Sequence, residues 1–122
     1  MRIILLLLAA LSTPALATDM SGSEVYESTC QECHSSGKLK APKFGDKKQW
    51  KKLIAEGLDD LVPMALKGIR AMPPKGGNIN LSDIEVARAV VYMTNAAGGK
   101  FAEPTASDVS RWRKTANGKQ VK

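Results

Sequence analysis

Apolar positions recur at helical spacing through most of this chain, and polar caps stand where each run begins. Trp50, Leu53 and Ile54 fall on one face behind Asp46, which predicts a capped helix ending near Gly57. Ser82 and Glu85 have the spacing of a capping box. The helix they open runs through Ile84, Ala87, Val90, Val91 and Thr94 to a stop at Gly98-Gly99. Ser21 and Glu24 form a second such box, opening a helix that runs towards His34 with Val25 and Tyr26 facing the core. Asp60 is the expected cap of a further helix from Leu61 to Lys67. Pro63 would then sit in its first turn, where the missing N–H breaks no bond inside the helix. Two loops separate these elements, Gly37 to Gly45 around Pro42 and Gly68 to Gly77 around Pro73-Pro74. The expected class is all-α, with about four helices.

The two ends read differently. Arg2, the apolar run Ile3 to Leu11 and the small-residue site Ala15-Leu16-Ala17 have the layout of an export signal, so residues 1–17 are expected to be removed. The run is far short of the roughly 20 apolar residues that span a bilayer. We therefore expect an exported monomer, periplasmic in a bacterium, with no transmembrane span. Residues 18–101 form the expected domain. In residues 102–122 and at Lys100 before them, Lys100, Arg111, Arg113, Lys114, Lys119 and Lys122 oppose only Glu103 and Asp108, which places most of the net charge of +6 in the tail. Disorder is the expected state of this basic extension. The alternative is one short helix capped by Ser107 and bearing Val109 and Trp112, with Arg111 and Arg113 beside the indole, a composition suited to an acidic partner or a lipid surface. A basic, exported chain points to partners with acidic docking surfaces and away from nucleic acid. Lys47, Lys48, Lys51 and Lys52 form a charge run that is more often a solvated face than a docking patch.

Candidate chemistry concentrates in Cys30-Gln31-Glu32-Cys33-His34, which holds both cysteines and the one histidine of the chain. Two thiols about one helical turn apart suit thioether bonds to the vinyl groups of one haem, and the next histidine can ligate its iron. A zinc site would need further Cys or His ligands, and a thioredoxin-like pair would need a βαβ setting. A plain disulfide gives His34 no role. Haem also offers a large apolar surface to a domain with only two Trp, two Tyr and two Phe. Met72 lies before Pro73-Pro74 on a loop that prolines stiffen, so its thioether can reach the second axial position. Met64 is the alternative ligand, and Met93 is a core filler.

Cys30-x-x-Cys33-His34, Ala41-Pro42-Lys43-Phe44-Gly45-Asp46, Ala71-Met72-Pro73-Pro74-Lys75-Gly76-Gly77 and Glu85 to Met93 together resemble a class I monohaem cytochrome c, closest to the cytochrome c5 family. The resemblance covers residues 21–101. It implies a small helical fold around one covalent haem c held through Cys30 and Cys33, with first and last helices crossing and with His34 and Met72 on opposite sides of the iron. It also implies that the Pro42 carbonyl accepts a hydrogen bond from His34. Many relatives carry an extra cysteine pair where this chain has Asn78-Ile79-Asn80-Leu81, so their loop-closing disulfide is absent. Iron with both axial positions filled has no open site for substrate, which favours a shuttle of single electrons over an enzyme. A small peroxidase would need Met72 off the iron. A haem subunit resident in one oxidoreductase complex is the other alternative.

Overall fold

In the computed structural model, which describes residues 18–118, both predicted capping boxes close. Ser21 Oγ accepts from the Glu24 N–H at 3.2 Å while the Glu24 carboxylate accepts from the Ser21 N–H at 3.3 Å. Ser82 and Glu85 make the same exchange at 3.3 and 2.8 Å. The predicted export segment 1–17 lies outside the described residues, as do residues 119–122. The helices are α1 (Gly22–Val25), a π-helical turn (Tyr26–Cys30), α2 (Gln31–His34), α3 (Lys47–Glu56), α4 (Leu58–Lys67), α5 (Asp83–Ala96) and α6 (Ala106–Asn117). The first three run on without a break in helical backbone angles.

The crossing of α1 over α5 depends on a residue with no side chain. A β-carbon on Gly22 would lie 2.3 Å from the Arg88 carbonyl oxygen and 2.9 Å from Tyr92 Cβ, so only glycine lets the two backbones approach this closely. Val25, one turn later, is wholly buried beside Leu66, Val86 and Val90. Asp46 caps α3 as predicted, accepting from the Gln49 N–H at 3.0 Å.

Two expectations fail, each for a local reason. Asp60 does not cap α4. Gly57, at φ +85°, turns the chain sharply after α3, so the next helix begins at Leu58 and Asp60 falls in its first turn. Pro63 then lies beyond the first turn, buried, at a position whose missing N–H leaves the Asp59 carbonyl without its helical donor. The second failure is the tail. Thr105, not Ser107, caps α6 in a third capping box with Asp108. Trp112 is only 3% exposed and joins the main core cluster with Leu61, Val62 and Ala65 of α4. The tail arginines find partners on the domain: Arg111 donates to Asp59 at 2.6 Å in an exposed pair, and Arg113 grips the part-buried Asp83. An ordered helix replaces the expected disorder because the Trp112 indole covers a face of α4 that would otherwise meet water and the part-buried Arg113–Asp83 pair ties the helix to α5.

The carboxylates that make these contacts set the acid limit of the fold. The Asp83 pKa is lowered by its hydrogen bond from Arg113, and that of Glu85 by the N–H groups of Ser82 and Met20. Their unfolded-state values are higher, so in acid the unfolded chain binds more protons and stability falls as pH drops through the lowered native values. We expect Asp83→Asn to flatten this dependence. Urea midpoints at several pH values through the carboxylate range test it; an unchanged slope contradicts the assignment.

Candidate haem site

Both cysteines and His34 are carried by the opening helical run, but not in a uniform α-helix. The Gln31 N–H reaches back to the Tyr26 carbonyl, five residues earlier, which widens the turn that ends at Cys30. Cys30 and Cys33 are free and partly exposed. Burial pushes the Cys30 thiol up to about 11, the reverse of the lowered value that a nucleophilic redox cysteine requires. Cys30 packs against the main core cluster and also against the second cluster of Trp50, Met93 and Ala97. It stands where the two apolar surfaces meet.

His34 is 8% exposed, and Nδ1 donates to the Pro42 carbonyl at 2.8 Å. Because a carbonyl only accepts, this bond puts the ring proton on Nδ1 and leaves the Nε2 lone pair free to bind a metal. The chain closes the arrangement from the other side, with the Phe44 N–H donating to the His34 carbonyl at 2.7 Å. Between them the loop reverses through Leu39 and Lys40, both in the left-handed region at φ +55° and +64°. Trp50 lies 6.0 Å from the imidazole, its indole N–H fixed on the Lys43 carbonyl at 2.9 Å. Tyr26, Phe44 and Tyr92 form an aromatic group with centroids 4.6 to 5.7 Å apart.

Met72 is half-buried against the main core cluster, the surface that Cys30 also meets. Ile69 and Met72 exchange two backbone hydrogen bonds of 2.9 Å each across Arg70, which sits at φ +51°. Gly68 makes this turn possible. A β-carbon there would lie 2.8 Å from the Met72 carbonyl oxygen and 2.9 Å from the Pro74 nitrogen, on a backbone at φ +85°. Met93 fills the second cluster as expected, and Met64 is not among the residues packed on the surface that Cys30 and Met72 share.

The donors present therefore fit a haem: two free thiols, an imidazole with one nitrogen oriented and the other available, and a thioether on a braced loop. Among the described residues no group of three or more His, Cys, Asp or Glu could hold a metal ion as a protein-only site. Sequence reasoning missed three supports. Trp50 beside His34 and the Asn78 side chain on Thr29, at 3.3 Å, are long-range contacts with no local signal. The π turn has no local signal either, although a Gly at the first helical position is a visible hint of the close crossing on α5.

The profile of the family described as cytochrome C oxidase, cbb3-type, subunit III matches residues 17–93. Cytochrome c-555 of Chlorobaculum tepidum is 43% identical over 77 residues, covering 60% of this chain and 71% of that protein. Cytochrome c5 of Azotobacter vinelandii is 42% identical over 76 residues, covering 61% and 92%. Among solved structures, a chain from an electron transfer complex of nitrite reductase with cytochrome c superposes with a TM-score of 0.62 at 43% identity, covering 66% of this chain and 99% of that one. The similarity in sequence and the similarity in fold agree, and the chain belongs to the class I cytochromes c, on the branch of cytochromes c5 and c-555.

Proposed function

We propose that this protein is an exported carrier of single electrons, in which Cys30 and Cys33 would hold haem c and His34 and Met72 would supply the ligands to its iron. The observation that carries the reading is the 2.8 Å bond from His34 Nδ1 to the Pro42 carbonyl, which orients an imidazole placed directly after the two thiols. When bound, haem supplies the one-electron couple of its iron. The protein contributes a buried imidazole, a braced thioether and apolar walls that limit water. Keeping the same two ligands in both oxidation states leaves little to rearrange, which suits transfer and gives substrate no open position. The family relationship supports a carrier over an enzyme.

A partner with an acidic surface fits the distribution of charge. Arg111, Arg113 and Lys75 are engaged in ion pairs, whereas Lys40, Lys43, Lys47, Lys48, Lys51 and Lys52 make none among the described residues. A run of unpaired positive charge therefore surrounds α3 and the loop that carries Pro42, next to His34. The similar cytochrome c solved with nitrite reductase supports a redox protein as partner. None of the described helices is long and apolar enough to cross a membrane. The export layout of residues 1–17 supports action in the periplasm.

Met72→Ala tests the ligand assignment. The ferric protein should lose the long-wavelength charge-transfer band of thioether-ligated haem, its reduction potential should fall, and cyanide should bind readily. Met64→Ala should leave all three unchanged. If Met64→Ala produces these changes and Met72→Ala does not, the ligand is Met64.

A further inference from the structure

The contacts of Arg113 reach past the helix that carries it. Its Nε donates to Asp83 Oδ2 at 2.8 Å and its Nη2 to Asp83 Oδ1 at 2.7 Å, a two-point grip that fixes the plane of the carboxylate. The same Oδ1 lies 3.4 Å from Lys75 Nζ, which also donates to the Leu81 carbonyl at 2.6 Å. Lys75 follows Met72-Pro73-Pro74 and holds a left-handed backbone at φ +55°, a conformation that costs energy for any residue with a β-carbon. The N-terminal limb of the Met72 turn is braced by backbone bonds to Ile69, while Lys75 ties the C-terminal limb to the start of α5. All three charged side chains are partly buried, at 18%, 26% and 31% exposure for Lys75, Asp83 and Arg113, so solvent screens them less than a surface pair. Arg111, two residues before Arg113, pairs instead with Asp59 and Asp108.

We propose that Arg113 is a positioning residue for the redox centre: by fixing Asp83 it holds Lys75, and through Lys75 the loop that presents Met72. The C-terminal helix lies beyond residues 17–93, where the family profile matches, so the profile does not describe the Arg113 side of this clamp. It rests on the assignment of Met72 as axial ligand. Loosening the clamp should make Met72 easier to displace, without removing it from the iron.

The test uses the full-length ferric holoprotein, with imidazole as competing ligand and the thioether charge-transfer band as readout. Arg113→Gln and Lys75→Gln should each bind imidazole about two- to fivefold more tightly than the wild type, the upper part of the range measured for single ion pairs. The double variant should add little to either, because both act through one chain of contacts. Arg111→Gln should lower the urea midpoint but leave imidazole affinity unchanged. Arg113→Lys, which keeps the charge without the two-point grip, should shift affinity in the same direction by less, and it carries the test if Arg113→Gln does not fold. Wild-type affinity in both Arg113 variants, or an equal shift in Arg111→Gln, overturns the clamp. A wild-type protein that lacks the band overturns the ligand assignment beneath it instead.

Discussion

A chain with Cys30→Ala and Cys33→Ala is expected to release its haem under denaturing conditions and to lose most of its helix content when the haem is removed. The first result follows from chemistry, since no other cysteine can form a thioether. The second follows from size. The described residues enclose two apolar clusters, and the smaller has only Trp50, Met93 and Ala97 fully buried. A domain of this length buries a modest share of its surface, and a ligand bound only by the native state adds stability in proportion to its affinity. Absorbance of the denatured polypeptide and far-ultraviolet circular dichroism of the haem-free chain are the two measurements. Haem that leaves the wild type on denaturation contradicts covalent attachment; a haem-free chain with full helicity contradicts the dependence of the fold on haem.

The second large effect is expected from Trp112→Ala. The indole is buried against α4, and its N–H donates to Asp59 at 2.8 Å, so truncation removes packing and leaves a cavity beside Leu61 and Val62. A loss of about 3–5 kcal/mol is the usual cost of emptying such a site, a large part of the roughly 5–15 kcal/mol that holds a small domain folded. Urea denaturation followed by circular dichroism measures it. Truncation after Phe101 should be at least as damaging. A wild-type midpoint in either variant would mean that α6 is an appendage, as its composition suggests. This bears on the proposed docking too: Arg111 and Arg113 are engaged by Asp59 and Asp83, whereas the lysines of α3 are unpaired among the described residues.

Local chemistry made much of this protein legible in its sequence. The capping boxes at Ser21 and Ser82, the Asp46 cap and the stop at Gly98 are written in neighbouring residues and hold because each joins groups within a few positions of one another. Cys30, Cys33 and His34 are likewise a local signal, and the resemblance supplied the contact between His34 and Pro42, eight residues apart. Tertiary structure decided what depends on distant partners. Gly57 and the packing of α4 moved that helix forward past Asp60, and the close approach of Gly22 to Arg88 set the crossing that carries the cysteines. The tail shows the difference most sharply. Read alone, it is basic and poor in apolar residues, the composition of a disordered segment. Its order comes from Trp112, Arg111 and Arg113 meeting Asp59 and Asp83, which lie 30 to 53 positions earlier in the chain. A charge counted along the sequence carries no sign of its partner, so only the folded chain shows whether an arginine faces solvent or closes the core.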